Sequence, residues 1–520
     1  MSGAKKGLLK PTIQITGLSF VNIVLTFVSQ LVVAYYFGAT WERDAYFAAV
    51  VIPTYLSTLF VSSIGAIFLP VYVDVKTRKG DIAANHFRNN VLGCTLLLSA
   101  IVSVLVILFS TGIISHTAPG FSLKEASLAA ELLSILSLTI VFQVLTNIAS
   151  SVLQVQHRFV LPSLAPLIAV SISLLTVLLF TGKLGIRSLA YGTLLGSVIS
   201  TACLLVPLHR IGSIKIILDL KNKEISRMMK ACIPLFIAGI FYRSTSIFER
   251  SIASTLEEGS ISFLGYGNQI MLILATLTSS GIAATVYPKL SRAWSEKNLP
   301  LLREMYIQCI RVILLLTIPL SIVFICWGIP IFTILFERGA FTQDATFAVS
   351  SIFSILTIAL IANSLGGVIA KIFYLTQRTV VGSVLDIIST VCYISFAYFL
   401  SGNFSYYGLA MATGISTLFT IITKFIFLRK VLNGIDLGRI ANVLLVGTIS
   451  ALIPMLLLQS CIYFLNLELR SSFFLLVFFV IGFISCYYFL LKLFNTSEVN
   501  LIEDQLRKYF PPISKVLKPR

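Results

Sequence analysis

Long apolar runs are the feature that most limits what this chain can fold into. A helix needs about twenty mostly apolar residues to cross the hydrocarbon core of a bilayer, and runs of that length recur along the whole 520-residue chain. Because only 12% of the residues are charged, the soluble globular class is excluded. The sequence predicts an all-α polytopic membrane protein with about fourteen spanning helices, at residues 12–37, 45–71, 90–112, 127–153, 159–181, 186–208, 231–253, 260–286, 306–330, 346–374, 380–401, 405–428, 440–465 and 470–492.

The basic residues indicate how the chain is oriented in the membrane. The formal net charge is +18, and most lysines and arginines fall in every second loop between the predicted helices. Loops rich in these residues stay on the cytoplasmic side, so both termini are predicted to be cytoplasmic. No basic stripe with interleaved aromatic residues lies outside the loops, and no nucleic-acid partner is predicted.

The cysteines indicate neither a metal site nor a disulfide framework. All eight are scattered singly through the chain, with no CxxC or Cys/His spacing. Such cysteines are typical of small apolar packing residues. We therefore predict no metal and no cofactor, and the sequence leaves open whether a proton, sodium or chloride ion is coupled to activity.

An internal repeat relates the two halves of the chain at a shift of about 220 residues. Gly120-Phe121-Ser122 resembles Ala340-Phe341-Thr342, and residues 158–163 resemble residues 378–383. Each half holds six predicted helices in the same orientation, an arrangement that transporters use to build a central site. We therefore predict two pseudo-symmetric six-helix lobes, with two further helices at the C-terminal end.

The predicted domain boundaries follow from this repeat. Two interpretations of the linker remain open, because its mixture of apolar and basic residues fits either an amphipathic helix on the inner leaflet or a solvated connection. The predicted parts are an N-lobe at 1–210, a cytoplasmic linker at 211–230, a C-lobe at 231–430, helices 13 and 14 at 431–495, and a cytoplasmic tail at 496–520.

Three charged residues interrupt the apolar run of the seventh predicted helix. They are Arg243, Glu249 and Arg250, and an arginine at the centre of a spanning helix costs about 2.5–3.5 kcal/mol or more. Arg243 and Arg250 are seven residues apart and share one helix face. Guanidinium groups bind phosphate oxygens in a forked geometry, so this face is a candidate site for a diphosphate. The alternative is local neutralisation of Arg250 by Glu249.

Other polar residues in or beside apolar runs are weaker candidates. Lys371 is either a second cavity cation or a lysine that extends to the inner surface. Asp44 is either a gate or coupling residue or a carboxylate that stabilises the head of its own helix. Asp386 either pairs with a cation on a neighbouring helix or takes part in ion coupling. Three amide side chains either line the path of a sugar or bond helix to helix: Asn22, Asn268 and Gln269.

Several short segments in order resemble one known family. They include Asp44-Ala45-Tyr46-Phe47, Phe68-Leu69-Pro70-Val71, Thr117-Ala118-Pro119-Gly120-Phe121, Leu256-Glu257-Glu258-Gly259-Ser260, Tyr287-Pro288-Lys289-Leu290-Ser291 and Glu337-Arg338-Gly339-Ala340-Phe341-Thr342. In order and spacing, over most of helices 1–12, the chain resembles the MurJ/MviN family of lipid-linked oligosaccharide flippases, within the multidrug/oligosaccharidyl-lipid/polysaccharide exporter superfamily.

The resemblance implies a bacterial inner-membrane protein with two lobes around a central cavity. It implies translocation of a polyprenyl-diphosphate-linked glycan, typically lipid II for peptidoglycan synthesis, from the inner to the outer leaflet. In the family, arginines on the first, second and eighth helices line the cavity. Here the first helix carries Asn22 and no charge, Tyr55 follows Pro53 on the second, and Gln269 ends the motif on the eighth. Asp44 matches the acidic position of the family.

The leading prediction is therefore a flippase that works by alternating access, with a polyprenyl-linked glycan lipid as its partner in the membrane. The alternatives are a flippase for O-antigen, capsule or exopolysaccharide repeat units, and a non-transporting scaffold that recruits envelope-biosynthesis enzymes. A membrane-bound enzyme is not predicted, because the outer loops are too short to house a catalytic site. A cation-coupled drug exporter would need a buried acid in the first helix, which has none.

Overall fold

The computed structural model describes residues 2–242, 244–470 and 472–494. Within these ranges, all regular secondary structure is helical. The helices are α1 (Ser2–Phe37), α2 (Trp41–Leu108), α3 (Ser110–Thr117), α4 (Leu123–Ser137), α5 (Thr139–Val155), α6 (Val160–Leu184), α7 (Arg187–Ile211), α8 (Lys223–Tyr242), α9 (Thr245–Ala253), α10 (Ser260–Ser295), α11 (Leu299–Phe336), α12 (Gln343–Leu375), α13 (Thr379–Val431), α14 (Leu437–Phe464) and α15 (Phe473–Leu493).

The described helices account for fourteen passes of a membrane. Twelve helical stretches are long and apolar enough to cross a bilayer. Two of them are too long for one pass, since the 68 residues of α2 would extend about 100 Å and the 53 residues of α13 about 80 Å. The helical backbone breaks inside each, at Gly80 (φ 81°) and at Ser405 (φ 51°). Each break divides its helix into two passes, which confirms the predicted count.

The chain forms two compact units. Unit 1 comprises Met1–Tyr266, Arg338–Ala345 and Asp386–Ala412, and unit 2 comprises Gly267–Glu337, Thr346–Leu385 and Thr413–Arg520. In unit 1, one apolar core is built around Phe68, whose ring stacks on those of Tyr72 and Phe87 at 5.5 and 6.1 Å. A second core contains the fully buried residues Leu132 and Leu133 of α4.

The start of α4 shows how local sequence sets a helix boundary. The pattern Ser122-Leu123-Lys124-Glu125 predicts a capping box. The structure confirms it, because the Ser122 side chain accepts a bond from the Glu125 amide while the Glu125 carboxylate accepts one from the Ser122 amide at 2.8 Å. This cap fixes the residue at which α4 begins after α3.

Residues 212–222, which connect α7 to α8, form no helix. They lie along α2, where Arg88 donates to the carbonyls of Gly212 and Ser213 at 3.0 and 3.1 Å. Asn90 exchanges two bonds with the backbone of Asp219, at 2.8 and 3.0 Å. The first part of the predicted linker is therefore a strap bound to α2, and α8 begins only at Lys223.

In unit 2, the last two helices pack on α11. The indole of Trp327 donates to the side chain of Gln459 on α14 at 2.8 Å, and its ring contacts those of Phe479 and Phe483 on α15. The hydroxyl of Tyr487 donates to a carbonyl of α11 at 2.9 Å. These contacts make the two C-terminal helices part of the apolar core of unit 2.

Candidate functional site

The charged residues of α9 are buried among groups of unit 1. Glu249 and Arg250 are only 6% and 8% exposed, and their charged groups approach to 3.6 Å. Arg250 also donates to the carbonyl of Ile261 at 2.8 Å, and its guanidinium carbon lies 5.3 Å from the centre of the Phe47 ring. The surrounding protein therefore holds this arginine in place. Arg243 lies outside the described residues.

Asp44 binds the head of a second helix. Its carboxylate is 3% exposed and accepts bonds from the amides of Gly259 and Ser262, at 2.8 and 2.7 Å. These amides belong to the turn that opens α10, where free N–H groups and the helix dipole favour a negative charge. We call Asp44, Gly259 and Ser262 the clasp. It joins the head of α2 to the head of α10.

The sequence did not lead us to predict a role for Arg43. In the structure this arginine is buried, with 1% of its surface exposed. Its guanidinium carbon lies 4.1 Å from the centre of the Phe47 ring, 5.0 Å from that of Tyr46 and 5.3 Å from that of Tyr266. The Tyr266 hydroxyl donates to the carbonyl of Gly38 at 2.8 Å. An arginine enclosed by three rings gains cation–π stabilisation, so this cluster reinforces the clasp beside it.

The turn before α12 docks on the end of α1 through main-chain atoms. The amide of Ala340 donates to the carbonyl of Tyr35 at 2.8 Å. Two glycines permit this approach: a Cβ on Gly38 would lie 2.1 Å from the Ala340 oxygen, and one on Gly339 would lie 2.3 Å from the Tyr35 oxygen. Both glycines also have positive φ, 55° and 62°, which side-chain-bearing residues rarely adopt.

A second contact repeats this docking. The amide of Gly120, in the turn before α4, donates to the side chain of Ser254 at the end of α9, at 3.2 Å. The shift of about 220 residues found in the sequence relates Gly120 to Ala340 and relates Ser254 to Ala34, which lies near the end of α1. The two contacts are therefore equivalent under the internal repeat, and both lie at the end of unit 1 that holds the clasp.

The head of α10 brings the predicted residues Asp44 and Arg250 together, because the adjacent residues Ser262 and Ile261 bind them. Unit 2 holds Lys371, whose ammonium lies 5.2 Å from the centre of the Tyr287 ring. The other candidates are half-buried. Asn22 and Asp386 belong to unit 1, whereas Asn268 and Gln269 belong to unit 2. Among the described residues, no three histidine, cysteine or acidic side chains meet in a way that suits a metal ion.

Three comparisons place this chain among known proteins. A "probable lipid II flippase MurJ" of Buchnera aphidicola subsp. Schizaphis graminum is 25% identical over 419 residues, which cover 79% of this chain and 81% of that protein. A solved lipid II flippase MurJ in an inward closed conformation matches with a TM-score of 0.80 and 23% identity, over 93% of this chain and 98% of that one.

An inward-facing multidrug resistance MATE transporter of the MOP superfamily also matches, with a TM-score of 0.68 and 17% identity, over 79% of this chain and 94% of that one. At these identities the structural likenesses show the fold, which is the predicted all-helical class. The family model described as lipid II flippase MurJ matches residues 33–497, nearly the whole chain. This chain therefore belongs to the lipid II flippase MurJ family.

Proposed function

We propose that this chain moves lipid II, or a closely related polyprenyl-diphosphate-linked glycan, from the inner to the outer leaflet by alternating access. As a member of this family it is a multi-pass protein of the bacterial cytoplasmic membrane and a transporter rather than an enzyme. Flipping carries a head group across the bilayer and neither makes nor breaks a covalent bond. The chain therefore needs a polar path and gates, and no catalytic site.

The clasp is the observation that supports alternating access most directly. Two charge-assisted hydrogen bonds join the heads of two helices, and they can break and re-form without unpacking an apolar core. Transitions between discrete states commonly involve such small contacts at element ends. We propose that the clasp is the closed state of one gate, and that Arg43 and Arg250 hold its helices in register.

We propose that Arg243 binds the diphosphate of the substrate, with Lys371 as a second cation. The support is chemical, because an arginine within a long apolar run of the sequence needs an anionic or aqueous partner in a membrane. Asn22, Asn268 and Gln269 would bond the sugars. On the helices where the family carries cavity arginines, this chain carries amides or a tyrosine, so its substrate site would hold fewer fixed positive charges.

Rescue of cells depleted of their own lipid II flippase tests the proposal. We expect the wild-type chain to restore growth and to lower the lipid II that accumulates on the inner leaflet. Asp44→Asn should restore neither, whereas Asp74→Asn, the same change at a partly exposed carboxylate further along α2, should restore both. Failure of the wild-type chain to rescue, with normal amounts in the membrane, would overturn the lipid II assignment.

The same experiment distinguishes the alternatives. A flippase for O-antigen, capsule or exopolysaccharide units would rescue a strain that lacks that flippase and leave lipid II unchanged. A non-transporting scaffold would remain active when Asp44 and Arg243 are both replaced. The proposed cytoplasmic location of both termini rests on the basic loops, and a reporter fused to either end tests it. Association with envelope-biosynthesis enzymes remains a prediction.

A further inference from the structure

A cavity of about 400 Å³ opens at the surface of unit 1, and none of the clasp residues is among the residues that line it. It lies where the head of α2, the first turns of α4 and the turn between α6 and α7 meet, and its charged and aromatic lining residues are Trp41, Glu42, Lys124, Glu131 and Arg187. Its volume is within the range of about 300–1,000 Å³ that is typical of ligand pockets. Nothing in the proposed transport cycle uses it.

The charges in this cavity are only partly paired. Arg187 donates two bonds to the carboxylate of Glu131, at 2.6 and 2.7 Å, so these two charges neutralise one another. Glu42 and Lys124 remain, and in the described part of the chain neither has an ion-pair partner within 4 Å, including the other. The cavity therefore presents one carboxylate and one ammonium that are held apart.

One face of the Trp41 ring is already occupied by a cation. The Lys124 ammonium lies 4.1 Å from the centre of this ring. A quaternary ammonium such as choline is recognised by open aromatic faces, whereas a primary ammonium can donate hydrogen bonds to the Glu42 carboxylate. A phosphate is the matching anion for Lys124. Tryptophan is also enriched at the membrane–water interface, the depth at which lipid head groups lie.

We propose that this cavity binds a phosphoethanolamine group, with the phosphate at Lys124 and the ammonium at Glu42. A phospholipid head group and free phosphoethanolamine share this chemistry. Trp41 and Glu42 begin α2, and only Arg43 separates them from the clasp residue Asp44. A bound head group would therefore brace the same helix head that the clasp holds, and it would link lipid composition to gating.

Titration of the purified full-length protein in detergent tests this proposal without any transport assay. The probes are dihexanoyl phosphatidylethanolamine, dihexanoyl phosphatidylglycerol and free phosphoethanolamine, and the readouts are tryptophan fluorescence and native mass spectrometry. We expect saturable binding of the ethanolamine lipid, with at least tenfold weaker binding of the glycerol lipid. Trp41→Phe should abolish the fluorescence change and leave the bound lipid visible by mass spectrometry.

Matched variants locate the binding. Glu42→Gln and Lys124→Gln should each weaken binding of the ethanolamine lipid at least tenfold, whereas Lys183→Gln, at an exposed lysine near the end of α6 that does not line the cavity, should have no effect. Equal affinity of free phosphoethanolamine and the lipid would identify the head group as the whole ligand. Equal binding of the two lipids, unchanged affinity in both cavity variants, or no binding by either readout would overturn the proposal.

Discussion

Replacing Asp44 with asparagine tests the clasp most directly, because the change keeps the size of the side chain and removes its charge. The carboxylate offers one oxygen to the Gly259 amide and the other to the Ser262 amide. Asparagine has one oxygen and one NH₂ group, so it can accept only one of the two bonds. Its NH₂ group would then face a second N–H donor in a site that is closed to water.

The expected effect follows from the lost bond. A hydrogen bond to a charged group contributes about 1.5–3 kcal/mol, and tenfold in an equilibrium constant corresponds to about 1.4 kcal/mol. Asp44→Asn should therefore raise the fraction of molecules with an open clasp about 10- to 150-fold. The surrounding rings and main-chain contacts should keep the helices folded.

Hydrogen exchange followed by mass spectrometry measures this opening at the amides themselves. The exchange rate of a locally protected amide scales with the population of the open state, so the peptide covering residues 255–263 should exchange about 10- to 150-fold faster in Asp44→Asn. Asp74→Asn is the control, because its carboxylate pairs with Arg78 on the same helix and binds neither amide. Unchanged protection of this peptide in the folded Asp44→Asn protein would refute the assignment of the clasp.

Three further predictions address other contacts. Gly38→Ala should lower the melting temperature of the purified protein, because the new Cβ would overlap a carbonyl oxygen 2.1 Å away, whereas Gly17→Ala, with open space around it, should not. Arg243→Ala should raise inner-leaflet lipid II in the rescue assay without lowering the melting temperature, and normal transport would remove this residue from the mechanism. Arg88→Ala should speed proteolysis of the strap at 212–222, and an unchanged cleavage rate would show that its bonds do not restrain the strap.

The membrane passes could be predicted from the sequence because their cause is local. Each run of about twenty apolar residues must form its own backbone hydrogen bonds in lipid, so hydropathy alone located the fourteen passes. Gly80 falls in a loop that the basic residues had already marked. Ser405 lies at the boundary between the predicted helices 380–401 and 405–428, just after Gly402 and Asn403, two residue types typical of turns, so this break was also predicted.

The partners of the site residues could not be predicted, because they are distant in the sequence. Asp44 lies 215 residues from Gly259, and no local pattern relates a carboxylate to an amide so far away. Arg43 was missed because a charged residue in a short predicted loop is usually solvated. A signal existed nonetheless: Tyr46 and Phe47 follow it by three and four residues, the spacing at which side chains meet on one helix face.

The docking of Ala340 on Tyr35 has a consequence for how this protein can change. The hydrogen bond joins two main-chain atoms. It therefore depends on the conformation of the backbone and not on which side chains the two residues carry. As long as Gly38 and Gly339 remain, neighbouring positions are free to drift during evolution without loosening the joint. Such tolerance would let a lineage exchange the side chains around this joint and still keep the joint itself.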